Sequence, residues 1–296
     1  MDDLHLDGLK IDSLVDLLKA AYTLEDYDHM IEIADKLLIS AERVYSKQKQ
    51  SMDSGKRYVK VDGKRHIVYY FGFSQMAKGI ALQKKEKYEE SLACIKGYAD
   101  LSWLHDETVE ADEEISAFKR FATSNTYSVN LLAGKQKWVY IEDFVFHLKN
   151  SKKEDLISGL VVVLDHALKY NVNVNSILAQ FHEVMKNIIT EGKYLNAKRM
   201  YLTKYFHRMA LYLLREGNYK DALNYTLKTL EESDKFNDMV NYKRSTALFE
   251  EHRNYASKEQ LHDYLRIIKG GIEDEKSIDY GSVSNGGFKF YHSASF

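Results

Sequence analysis

Along most of the chain, apolar residues return every three or four positions, the period of a helix with one face turned inward. Leu14, Leu17, Leu18 and Ala21 make a first stripe, and Ile31, Ala34, Leu37, Leu38 and Ala41 a second. Further stripes run from Ile80 and Leu82 to Leu92 and Ile95, then through Ile115, Phe118, Ala122 and Val129. The same period continues through "EDFVFHLKN", "EDLISGLVVVLDHALKY", "NSILAQFHEVMKNIIT", "KRMYLTKYFHRMALYLLRE", "YKDALNYTLKTLEES", "VNYKRSTALFEEHRNY" and "SKEQLHDYLRIIKG". The run "GLVVVL" would suit a buried strand, but its flanks keep the helical period and it reads as helix. Asp12, Ser151, Asn175 and Ser257 stand where N-caps belong. Gly192, Gly217 and Gly270 stand where helices stop, and Gly159, inside a stripe, allows a close helix contact. Two stretches break the pattern. Positions 51–66 carry an Asp62-Gly63 turn signal and predict an exposed loop or a short hairpin. Positions 279–296 space Phe288 and Phe290 as a miniature strand would.

A shorter pattern repeats within these stripes. Around Tyr27, Tyr88 and Tyr219, a small or apolar residue lies nine places earlier (Leu18, Gly79, Ala210). Met30, Ser91 and Ala222 lie three places later. The physical sense is a helix hairpin, with the tyrosine at the corner and the small residue letting the second helix cross closely. These positions resemble the small-residue and aromatic positions of the tetratricopeptide repeat. The tyrosines stand 61 and 131 residues apart, so a strict tandem array of 34-residue units is excluded. The reading is an all-α, right-handed superhelix of such hairpins with an irregular helical middle. It divides into an N-terminal hairpin (1–50), a basic loop or small hairpin (51–66), a repeat region (67–270) and an aromatic, non-helical tail (271–296).

Longer phrases extend the likeness. "IVYYFGFSQMAKGIALQKKEKYEESLACIKGYADLSW", "FATSNTYSVNLLAGKQ" and "ALFEEHRNYASKEQLHDYLRII" resemble the C-terminal region of Gram-positive regulators that join an Xre-type helix-turn-helix to tetratricopeptide-like repeats. They are similar to the Rap, PlcR and NprR class of peptide-pheromone receptors, over roughly residues 10 to 270. The resemblance implies quorum sensing and transcription regulation through a bound peptide; dimerisation through the C-terminal repeats is expected because an open repeat array leaves an apolar end to cover. The departure is at the front, because residues 1–11 cannot hold a DNA-binding domain. DNA is therefore a partner only if an N-terminal helix-turn-helix is missing from this chain. The alternative is a stand-alone sensor acting on another protein.

Composition narrows the classes. With 45% apolar and 29% charged residues, the chain has the balance of a soluble globular protein. A net charge of −2 gives no overall pull toward nucleic acid or a membrane surface. Cys94 is the single cysteine, which fits a reducing compartment, and the acidic start "MDDLHLDGLK" lacks a secretory layout; the expected address is the cytoplasm. No proline interrupts a helix, and 22 tyrosines offer rings with polar tips for groove walls.

Signals for chemistry are sparse. "AGKQK" at Ala133 lacks the glycine and the Ser/Thr of a phosphate loop, and His182-Glu183 lacks a second histidine four places on. The expectation is no enzyme, no metal and no cofactor. The basic cluster Lys56, Arg57, Lys60, Lys64 and Arg65 reads as a solvated loop in preference to a phosphate site. Side-chain amides are the sharper clue, since each can pair with both a peptide N–H and a C=O. Asn125 and Asn130, with Tyr127 nearby, are candidate peptide-binding residues, as is Asn171, although "YNVNVNS" also reads as a turn with an N-cap. Lys204, Tyr205, Arg208 and Tyr212 place cations and rings at helical spacing, suited to a peptide carboxylate or to ordinary surface. The functional expectation is a cytoplasmic sensor whose concave face binds a short peptide or a protein partner. The alternatives are an assembly scaffold and, ranked last, a helical enzyme.

Overall fold

The computed structural model describes residues 6, 8–53, 63–104, 106, 108–134, 137–151, 153–191 and 196–276. Among the described residues the chain is all-helical, with twelve α-helices, two short 3-10 turns and no strand. No described helix is long and apolar enough to cross a membrane. Two compact units, Met1–Tyr140 and Ile141–Phe296, divide the chain within its sixth helix. The miniature strand expected over 279–296, and 54–62 of the expected loop or hairpin, lie outside the described residues, as do Gly192 and the basic positions Lys56, Arg57 and Lys60.

The first unit holds α1 (Ile11–Thr23), α2 (Tyr27–Asp53), α3 (Ile67–Lys84), α4 (Tyr88–Ala99) and α5 (Val109–Leu132). α2 continues past position 50, where the first boundary was expected. α3 sets the arrangement. Its sequence "IVYYFGFSQMAKGIALQK" is apolar around the whole circumference, so it cannot rest on one neighbour and must be surrounded. It packs against α2 and α4, its neighbours in sequence, and also against α1 and α5. Val68, Tyr70 and Ala77 are fully enclosed there, and Leu14 and Leu18 of α1, Met30 and Leu37 of α2, and Phe118 of α5 are buried as well. The α2 stripe is turned slightly from the expected one, since Ile33 enters the core while Ile31 is half-buried.

The segment entering α3 is fastened by polar contacts. Asp12 is not the N-cap of α1; Lys10 holds that place without a side-chain bond. The Asp12 carboxylate instead accepts the Tyr70 hydroxyl at 2.6 Å and the Lys64 N–H at 3.1 Å. Arg65 pairs with Glu114 and lies 4.4 Å over the Tyr69 ring. His66 caps α3: its Nδ1 accepts the Val68 N–H at 3.2 Å, while its Nε2 meets Asp106 at 2.8 Å. Arg65 is thus a structural cation, and Lys64 is left exposed.

The second unit takes most of α6 (Lys137–Lys149) and then α7 (Lys153–Tyr170), α8 (Asn175–Glu191), α9 (Asn196–Arg215), α10 (Tyr219–Lys235), α11 (Met239–Glu251) and α12 (Lys258–Lys276). "GLVVVL" is helical, inside α7, and a side chain at Gly159 would run into Leu148 of α6. α9 packs on α7, α10 and α11, and α10 packs on α9, α11 and α12. Phe249 and Tyr264 stack at 4.0 Å in the core shared by α10, α11 and α12. Ser257 is the N-cap of α12 in a reciprocal box: its hydroxyl accepts the Gln260 N–H at 3.2 Å, and Gln260 Oε1 accepts the Ser257 N–H at 3.0 Å. Ser151 does no such work, since its hydroxyl donates back to Leu148 O.

The three aligned hairpins share one corner. In each, a three-residue link joins the helices, and its middle residue is left-handed: Glu25 at φ 56°, Glu86 at φ 59° and Gly217 at φ 76°. The next N–H bonds back across the helix end, Asp26 to Ala21 O, Lys87 to Leu82 O and Asn218 to Leu213 O, which satisfies carbonyls left over at the stop. Leu18, Gly79 and Ala210 are buried, as are Met30, Ser91 and Ala222, while Tyr27, Tyr88 and Tyr219 are half-buried as the first residue of the second helix. At Gly79 a Cβ would come within 3.2 Å of Cys94 Cβ, and the Ser91 hydroxyl donates to Gly79 O at 2.7 Å, so α3 and α4 touch almost backbone to backbone. The same corner joins α10 to α11 through Asn237 at φ 53°, where Met239 replaces the tyrosine.

Candidate functional site

The amphipathic stripe of α8 is broader than one neighbouring helix can cover. Phe181, Met185 and Ile188 are buried, but Leu178 and Ile189 on the adjoining strip stay half-buried and Ala179 is exposed. This second strip forms one wall of a trough of about 720 Å³, whose other wall comes from α9 and α10. Leu178, Ala179, Met185, Ile189, Met209 and Leu213 supply its apolar surface. Its polar lining is Asn175, His182, Lys186, Thr190, Tyr205, Tyr212, Tyr225 and Lys228.

One end of the trough is rigidly built. The Tyr212 hydroxyl accepts the Val174 N–H at 3.0 Å and donates to Asn175 Oδ1 at 2.9 Å, so α9 holds the first turn of α8 in place. Asn173 Oδ1 accepts the Asn175 N–H at 3.0 Å, the cap expected of this turn, although on Asn173 and not Asn175. At the other end Tyr205 and Tyr225 meet edge to face at 6.5 Å, and Lys228 Nζ lies 5.0 Å from the Tyr225 ring centre. Burial raises the Tyr205 and Tyr225 hydroxyls above the ordinary tyrosine value, and the Asp221 carboxylate adds to the rise at Tyr225. Both are therefore O–H donors at neutral pH. Neither has a hydrogen-bond partner among the described residues.

The structure divides the sequence-level candidates. Tyr205 and Tyr212 line the trough. Arg208, on the same helix, pairs with Asp165 of α7 and is a fastening between helices; Lys204 is half-buried and does not line the trough. Asn171 is the left-handed stop of α7 at φ 52°, which is the turn reading of "YNVNVNS" and not a groove amide. In the first unit, Tyr127 and Asn130 line a separate, shallower cleft of about 510 Å³ with Lys119, Thr126 and Tyr140. Asn125 stands outside that lining, with its Nδ2 donating to the buried Tyr98 hydroxyl at 2.8 Å.

His182, Lys186, Tyr225 and Lys228 were not anticipated. The signal that could have found them is the excess width of the α8 stripe, because a helix with more apolar surface than its neighbours cover leaves some for a ligand. Among the described residues no group of three His, Cys, Asp or Glu side chains is placed to hold a metal ion. Comparison of the chain with known family models, with curated proteins and with solved structures finds no match.

Proposed function

We propose that this chain is a non-enzymatic binding protein whose trough between α8 and the α9–α10 pair takes a short peptide. The observation that carries the reading is the trough itself, an open apolar surface of ligand size with a rim of hydrogen-bonding groups. Along α8 it runs from Asn175 to Thr190, on the order of 22 Å of helix. That length suits about seven extended residues and is too small a footprint for a folded domain.

The neighbour pattern supports a tetratricopeptide-like arrangement. α3 touches its sequence neighbours and the helices one further on, as the inner helix of a stacked hairpin array does. On this reading the hairpins wind into a right-handed superhelix, the protein is a cytoplasmic sensor, and ligand binding shifts its population toward one curvature. Homodimerisation and a link to transcription belong to the same proposal, and DNA enters only through a separate helix-turn-helix.

The test is thermal unfolding with a pool of seven-residue peptides. A peptide present at 100 times its Kd stabilises the folded state by about 2.7 kcal/mol, a rise of roughly 2–4 °C for each kcal/mol in a domain of this size. Ala179 is exposed on the trough wall, so Ala179→Trp should fill the trough, leave the unliganded melting temperature within about 2 °C and abolish the peptide shift. A response only to large protein partners, undiminished in Ala179→Trp, would place the chain with scaffolds.

A further inference from the structure

The polar groups of the trough are one-sided. Lys186 and Lys228 point cations at it, and among the described residues neither has a carboxylate partner. The acids that could have neutralised Lys228 from the next turn are committed elsewhere: Glu231 to Arg266 at 3.0 Å and Glu232 to Lys235 at 2.9 Å. On α8, Glu183 is exposed and lies outside the lining. Among the described residues no Asp or Glu lines the trough.

The uncharged groups lean the same way. Asn175 spends its Oδ1 on the Tyr212 hydroxyl, which leaves its NH2 group to donate. The Tyr205 and Tyr225 hydroxyls are protonated donors without partners among the described residues. Thr190, whose hydroxyl already donates to Lys186 O at 2.7 Å, presents lone pairs, and the His182 ring, 3.9 Å from Glu183, can accept as well as donate. A lining with spare donors, two cations and no acid is complementary to acceptors and negative charge, and its apolar surface asks for hydrophobic side chains between them.

Resting on the peptide-receptor reading, we infer that the ligand is an acidic, amphipathic peptide, its carboxylates held between Lys186 and Lys228 and its apolar side chains laid on Leu178, Met185, Met209 and Leu213. The backbone carbonyls of such a peptide use the Asn175 amide and the tyrosine hydroxyls. A simple fatty acid offers the same anion and chain but no amides, and should compete poorly.

The experiment is fluorescence anisotropy on the full chain with three labelled heptapeptides of alternating leucine and glutamate, leucine and glutamine, or leucine and lysine. The glutamate peptide should bind at least about tenfold more tightly than the glutamine peptide, the size of one charged hydrogen bond. Its affinity should fall as salt rises. Lys186→Gln and Lys228→Gln, both surface changes checked for unaltered melting, should each erase most of that preference and leave the glutamine peptide unaffected. Decanoate should not displace the bound peptide.

Equal affinity for the glutamate and glutamine peptides, lost in Ala179→Trp, would overturn the acidic-ligand inference and leave the receptor reading standing. A glutamate preference that survives both lysine changes would overturn it as well, as would displacement by decanoate. Absence of binding by all three heptapeptides and by the wider pool would remove the receptor reading, and this inference with it.

Discussion

Single residues decide how closely these helices approach. Gly72 on α3 faces Phe118 of α5, where a Cβ would stand 2.5 Å from the ring. Gly72→Ala should therefore cost about 1–3 kcal/mol through overpacking, read as a lowered midpoint in urea with an unchanged slope. Asp106 shows how charge enters. Its partial burial works against ionisation, but hydrogen bonds from Thr108 and His66 outweigh that and hold the carboxyl below its ordinary value. A carboxyl depressed by folding contributes stability that is present above the unfolded value of about 3.9 and is lost as pH falls through the folded value. Asp106→Asn should accordingly flatten the acid limb of the stability–pH curve below about pH 4. Little of this was legible beforehand. Asp12 looks like an N-cap because it precedes an apolar stripe, but its partner, the Tyr70 hydroxyl, lies 58 positions away. Local spacing carries no information about so distant a pairing.

At the scale of elements the sequence speaks more clearly. Helical periodicity is a property of neighbouring residues, so the helices, the Gly217 stop and the Ser257 cap were all readable from nearby positions. The hairpin positions Leu18, Gly79 and Ala210 were readable too, because only small or well-packed residues tolerate a close crossing. Gly217 at φ 76° has nothing within 4 Å of where a Cβ would sit, so its role is purely conformational. Gly217→Ala should cost about 1–2 kcal/mol, the strain of a left-handed alanine, and a loss of more than about 4 kcal/mol would show that the corner does something besides turn. What escaped was the α10–α11 corner, which uses Asn237 and Met239, and the role of Arg208. A cation at helical spacing looks alike on a free face and on a face turned to another helix. Asp165, its partner, is 43 residues away.

For the whole molecule, helical periodicity made the all-α class legible but not the place of the trough. That site arises from a mismatch in width between the apolar stripe of α8 and the helices beside it, and no single segment contains both halves of a mismatch. The peptide pool, the Ala179→Trp variant and the three charged heptapeptides address it directly. A further readout is already built into the chain. Cys94, its single cysteine, is buried where α4 crosses Gly79, and burial pushes its thiol above the ordinary value, which makes it slow to ionise and to react. Native protein should leave a thiol reagent almost untouched over minutes at pH 8, and denaturant should release one equivalent. The labelling rate then acts as a clock for opening of the first unit, while the trough belongs to the second. Peptide that slows this clock would be reporting, through an atom it never touches, the free energy by which one half of the chain hears the other.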